Sequence, residues 1–150
     1  MLSLSPIGVV AAPEDGADPD AGPALITLDK KVAPGLEGLA GFSHVVVLWW
    51  ADRANGPERS ELIQPLPYRA GPDQLGVFAT RAPGRPNPIG MSVCRLLGVD
   101  LDALPSTPVL DLKPYTPSLD RVEDPGVPNW CAGWPRSLEE SGRFDWSTVF

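Results

Sequence analysis

The sequence predicts a mostly β fold: about seven short strands joined by turns, with little helix, arranged as a small barrel or a sandwich. Three observations carry this. Nineteen prolines and 15 glycines among 150 residues punctuate the apolar runs instead of forming a tract. The apolar runs are short, each bounded by Pro, Gly, Asp or Asn. Helical periodicity is weak from end to end. At 150 residues and 16.0 kDa, one domain with its own core is the default.

Taken in order, the expected strands are residues 7–12, 24–28, 43–50, 62–66, 76–80, 89–99 and 109–112. In 89–99, Ile89, Met91, Val93, Leu97 and Val99 share one side and Gly90, Ser92, Cys94 and Leu96 the other, so one side faces a core. Residues 32–39 and 136–141 are expected to form a helical turn or two. Residues 14–23, EDGADPDAGP, are acidic and turn-rich and read as a mobile loop between the first two strands. From Asp120 onward Trp130, Trp134 and Trp146 lie among prolines and acids, and their rings are expected to pack residues 121–150 as an extension onto the core, residues 1–120, or onto a second subunit.

Composition excludes several classes of function. The longest apolar run, residues 45–51, suits a buried strand and is far short of the roughly 18 residues of a membrane span. The opening MLSLSPIGVVAAPEDG lacks a basic start and meets Pro6 and Gly8 at once, so a cytoplasmic location is expected rather than secretion. Cys94 and Cys131 lie far apart, with His44 the only histidine, which argues for structural thiols and against a metal centre or a disulfide framework. The net charge of −7 disfavours an extended nucleic-acid footprint. Its distribution is uneven: residues 1–29 hold five acids and no base, whereas residues 76–99 hold Arg81, Arg85 and Arg95 and no acid.

That acid-free segment contains the most unusual sequence of the chain, TRAPGRPNPIG, residues 80–90. Pro83, Pro86 and Pro88 each fix their own φ and push Ala82, Arg85 and Asn87 into extended conformations, so the loop has little entropy to lose on binding a ligand. The amides of Arg85, Asn87, Ile89 and Gly90 remain as donors at defined spacing, and Gly84 and Gly90 allow close backbone approach. A stiff bend with two arginines suits a ligand carrying a carboxylate and a purine; a rigid connector between strands has the same texture.

The string GVFATRAPGRPNPIGMS, residues 76–92, resembles the signature of the TsaA-like, or TrmO, family of S-adenosylmethionine-dependent tRNA (adenine-N6)-methyltransferases, which reads F-A-T-R-S-P-x-R-P-N-P-I-G-x-S. GFSHVVVL, residues 41–48, resembles the family's F-S-H strand, and TPVLDLKPY, residues 107–115, followed by Asp120, resembles its G-T-P-V-L-D-I-K-P-Y block. The blocks keep the family's order. Departures are Ala82 for the usual serine, Pro105-Ser106 in place of D-G, and ADPDAGPALIT where members often carry P-R-Q.

The resemblance implies a single compact β-barrel-like, non-Rossmann domain, usually a homodimer, that binds S-adenosylmethionine and methylates N6 of threonylcarbamoyl-adenosine beside the tRNA anticodon, with no metal. A small-metabolite methyltransferase and a non-catalytic β module that binds a nucleotide-like ligand stay open as alternatives. By the same resemblance Arg81, Arg85, Pro86, Asn87, Ile89 and Gly90 form the donor loop, with Ser43 and His44 nearby; Asp111, Lys113, Tyr115 and Asp120 surround the transfer site.

Chemistry suits these assignments. Arg81 or Arg85 can fork a carboxylate or brace the loop, and Asn87 can match an adenine edge or cap the turn. His44 is a candidate base or a core histidine, and Asp111 a proton acceptor or a solvated strand residue. Lys113 can meet a substrate carboxylate or phosphate, and Tyr115 can stack on a base. Trp49 and Trp50 read as core or interface.

Overall fold

The computed structural model describes residues 3–11, 24–66, 68–96 and 106–150. The acidic segment 14–23 and the end of the expected 89–99 strand, residues 97–99, lie outside the described residues.

Seven strands are present among the described residues: β1 (Gly8–Val10), β2 (Ile26–Leu28), β3 (His44–Trp50), β4 (Ile63–Pro65), β5 (Gln74–Gly76), β6 (Ile89–Arg95) and β7 (Pro108–Pro114). Two short helices, α1 (Pro117–Asp120) and α2 (Leu138–Ser141), and several single turns complete them, none longer than four residues. Mostly β with little helix is therefore the architecture. Every pairing is antiparallel, and the order is β2-β1-β7-β3-β6 in one sheet and β4-β5 in a second.

The expected barrel is corrected. Closure needs a ladder between the outermost strands. Among the described residues β2 and β6 are the two free edges of the larger sheet, and β4 and β5 pair only with each other. Alternation along a strand reports its two faces, not which strand lies beside it, so the sequence carried the strands without the closure.

A second difference concerns residues 76–80, expected as a strand. The strand is Gln74–Gly76, and the chain then turns through Val77–Ala79. The carbonyl of Val77 accepts both the Thr80 amide and the Thr80 hydroxyl, at 3.2 and 2.9 Å, which closes the turn locally. Helical turns at Ala33–Leu36 and Leu138–Ser141 fall inside the two expected windows, the latter capped by Ser137 Oγ accepting from the Glu140 amide at 3.1 Å.

The chain forms two compact units. The first comprises residues 1–59 and 83–121, the second residues 60–82 and 122–150. In the first, Val10, Val45, Val47, Cys94 and Val109 form the core, with Trp49 and Leu112 packed against it. Gly90, Ser92 and Cys94 are thus on the inner side of β6, while Ile89 and Met91 are 40% and 47% exposed on the outer side. The smaller residues face inward because the Trp49 indole occupies the space above Gly90: a Cβ there would lie 2.1 Å from Trp49 Cε2. Trp49 Nε1 also donates to Ser92 Oγ at 3.1 Å.

In the second unit the tail is organised by rings. Tyr68 stacks on Trp130 at 5.5 Å and meets Trp134 edge-on at 5.0 Å, and Trp134 in turn meets Trp146 at 5.5 Å. The Arg69 amide and Nε donate to the carbonyls of Val149 and Phe150 and fasten the C-terminal end.

Candidate functional site

Strand β3 lies between β6 and β7, so its outer side collects residues from three strands. Val47 faces Ser92 and Leu112 on the core side. One residue away, Val46 faces Val93 and Lys113, and Leu48 faces Met91 and Asp111, on the outer side.

A β-bulge decides which residues of β7 reach that side. Leu48 pairs with Asp111 but Trp49 pairs with Val109, leaving Leu110 as the extra residue. Without the bulge Val109 and Asp111, two apart, would point the same way. With it Val109 is fully buried in the core, while Asp111 joins Lys113 on the outer side.

Asp111 is held at both oxygens. Oδ2 accepts from Lys113 Nζ at 2.5 Å and Oδ1 from the Leu112 amide at 2.9 Å. At 45% and 59% side-chain exposure the ion pair is solvated, so its role is to fix geometry more than to stabilise the fold. His44 opens β3, with Nδ1 2.8 Å from Ser43 Oγ, and its carbonyl accepts the Tyr115 amide. The rings of His44 and Tyr115 meet edge-on with centroids 6.2 Å apart. Four residues singled out in the sequence, His44, Asp111, Lys113 and Tyr115, thus belong to the adjacent strand ends and outer side of β3 and β7.

Asp120 has a structural task. Its Oδ2 accepts the Thr116 amide at 2.7 Å and ties the first turn of α1 just after Tyr115.

The proline loop is pinned at consecutive carbonyls. Pro86 O accepts from Arg59 Nη2 at 2.7 Å, Asn87 O from the Ile89 amide at 2.7 Å, and Pro88 O from the Ala51 amide at 2.8 Å. Pro88 is fully buried, whereas Asn87 between the two anchored prolines is exposed. Arg85 is half-buried in the first unit; Arg81 is exposed and belongs to the second. The Arg59 guanidinium also lies over the Trp50 ring, 5.4 Å from its centroid. Sequence reasoning missed Arg59, because nothing in the surrounding PERS marks a residue that reaches 27 positions along the chain.

Ser43 and His44 lie at the end of β3 away from Ile89, where the loop enters β6. His44 pairs with Arg95 at one end of the β3–β6 ladder and Trp50 with Ile89 at the other. Six residue steps separate the ends, about 20 Å at about 3.4 Å per residue. Asp111, opposite Leu48, is only two steps from the loop end.

Among the described residues no group of three metal-ligating side chains occurs, and no helix is long and apolar enough to cross a membrane.

Fold and site together define, among the described residues, an antiparallel β protein with a proline-pinned loop at one end of β3 and polar side chains of β7 along the outer side of the sheet. Comparison with known proteins supplies the family. Residues 9–121 match the model of the tRNA-methyltransferase O N-terminal domain, and the chain belongs to that family. An S-adenosyl-L-methionine-binding protein of Archaeoglobus fulgidus is 36% identical over 137 residues, covering 81% of this chain and 94% of the relative. A tRNA (adenine(37)-N6)-methyltransferase of Eikenella corrodens is 37% identical over 109 residues, 65% of this chain and 61% of the relative. The crystal structure of TrmO from Pseudomonas aeruginosa superposes with a TM-score of 0.62 at 35% identity, over 84% of this chain and 61% of that one. The chain spans about three fifths of the solved TrmO chains that it matches.

Proposed function

We propose that the chain is an S-adenosylmethionine-dependent methyltransferase acting on N6 of threonylcarbamoyl-adenosine beside the tRNA anticodon. The single observation that supports this most is the loop at residues 85–90. Three successive carbonyls are bonded, the prolines fix φ, and Asn87 is left exposed between them. Such a loop loses little freedom on binding, which favours recognition of a small polar ligand. Its donor set fits the methyl donor: a guanidinium at Arg85 suits the carboxylate, and the Asn87 amide carries both a donor and acceptors for an adenine edge.

When bound, the donor supplies an electrophilic methyl group on a sulfonium. In the reaction the N6 lone pair forms the N–C bond as the C–S bond breaks; the electron pair stays on sulfur, and the N6 proton leaves to a base. Alignment dominates such a displacement. Asp111, engaged at both oxygens by Lys113 and Leu112, is suited to orienting an acceptor amine. In the tautomer whose Nδ1–H donates to Ser43 Oγ, His44 keeps Nε2 as an acceptor for the proton. Tyr115 offers a ring for a base, and Asp120 holds the turn behind it.

A homodimer completes the reading. The outer side of β6 exposes Ile89 and Met91 beside Leu48 and Trp50, an apolar surface suited to a second copy. A two-fold pairing of these faces with its axis across the strands would set the His44 end of one protomer beside the loop end of its partner. A cytoplasmic location goes with a tRNA substrate in this reading.

The test is calorimetry with the donor, followed by labelled donor and tRNA lacking the final methyl. Saturable binding and label on the modified adenosine are expected. Label on a small metabolite but not on RNA would refute the acceptor, and no donor binding would refute the enzyme.

A further inference from the structure

The proline loop has a weakness that prolines cannot repair. A pyrrolidine ring fixes φ but leaves ψ free, and ψ of Pro86 sets the direction of its carbonyl and of the Asn87 amide that follows. One side chain bonds that carbonyl: Arg59, through Nη2 at 2.7 Å. Its guanidinium lies over Trp50, the last residue of β3, and its Nε is buried without a hydrogen-bond partner. No carboxylate within salt-bridge distance of Arg59 is found among the described residues. A partly buried cation with an unsatisfied N–H is a cost to the fold, and the contact that sets against it is the one Nη2 makes to the Pro86 carbonyl.

We propose that Arg59 is a positioning residue for the donor loop: it fixes the Pro86 carbonyl, and through it the presentation of Arg85 and Asn87, without touching the ligand. Trp50 serves as its platform and couples the loop to the end of β3. The Ala51–Pro88 bond fixes the other side of Asn87, so losing Arg59 frees only the first half of the loop. The proposal rests on the donor-loop reading given above.

The experiment uses the full chain with Arg59→Met, which keeps an apolar stem over Trp50 but has no donor, and Arg59→Lys, which keeps a charge and a donor; Arg85→Ala is the control. For the Met variant, donor binding by calorimetry should weaken about ten-fold, the scale of one charge-assisted hydrogen bond. The melting temperature should change little, and amide exchange should rise at Ile89, whose N–H is held by the Asn87 carbonyl, but not along β3. Lysine should recover part of the affinity. Met-variant affinity within two-fold of the parent, or a Lys variant no better than Met, overturns the role of Arg59 while a sensitive Arg85→Ala keeps the donor loop. An insensitive Arg85→Ala overturns both. Should the Met variant fail to fold, the Lys variant decides: parent-like exchange at Ile89 with lowered affinity overturns the proposal, and raised exchange at Ile89 with β3 unchanged supports it.

Discussion

Replacing Gly90 by alanine tests the packing that joins the proline loop to the sheet. The added Cβ would stand 2.1, 2.3 and 2.5 Å from Cε2, Cζ2 and Cδ2 of Trp49, three atoms of one rigid indole. No rotation of a flexible end relieves this, so the ring or the strand has to move. Overpacking of this kind costs about 1–3 kcal/mol. Moving the ring also disturbs the 3.1 Å bond from Trp49 Nε1 to Ser92 Oγ, which is worth about 1 kcal/mol more where Ser92 is buried. The expected loss is therefore about 2–4 kcal/mol, or roughly 4–16 °C in Tm for a chain of this size. Urea denaturation followed by far-UV circular dichroism measures it. Combining Gly90→Ala with Trp49→Leu should cost less than the two single changes added together, because the smaller side chain makes room for the methyl. A single-mutant loss under 0.5 kcal/mol, or strict additivity in the double mutant, would refute the packing argument.

Three further outcomes are expected. Ser106 stands where the family block has glycine and takes a φ of 68°, a left-handed conformation that disfavours a side chain, so Ser106→Gly should stabilise by about 1 kcal/mol in the same denaturation assay. Asp120→Ala, which removes the acceptor of the Thr116 amide, should cost about 0.5–2 kcal/mol, and Asp120→Asn should restore most of it; equal losses would show that the carboxylate acts otherwise. On the homodimer proposed above, Met91→Glu, on the exposed outer side of β6, should shift sedimentation from dimer to monomer with the circular dichroism spectrum unchanged; a parent that already sediments as a monomer refutes the dimer.

What the sequence made legible follows from which interactions are local. The strands at His44–Trp50 and Ile89–Arg95 were readable because apolar runs between turn residues state their own length. The inward side of β6 was not, since the bulkier set, Ile89, Met91 and Val93, faces outward. The deciding contact is Trp49 over Gly90, between residues 41 positions apart. Strand 76–80 was misplaced because Thr80 bonding back to Val77 is a competing local choice that the apolar pattern does not record. The candidate residues themselves were legible through a family signature, while their distances were not. A motif fixes order, and only the register of β3 reveals that His44 and Ile89 sit at opposite ends of one ladder.

That register has a consequence for how the chain works. Ile89, the start of β6 next to the proposed donor loop, and the His44–Tyr115 pair stand at opposite ends of the same strand, about 20 Å apart along it, further than one small donor and one acceptor atom can be. Two arrangements reconcile them. Either Asp111 and Lys113, nearer the loop, align the acceptor and His44 serves the outlying part of a large substrate, or His44 acts on the loop of a partner copy. Mixing Arg85→Ala with His44→Ala protomers separates the two. In the second arrangement one mixed dimer regains one intact site and activity recovers toward one quarter of the parent after statistical exchange; in the first it stays at the level of the separate variants.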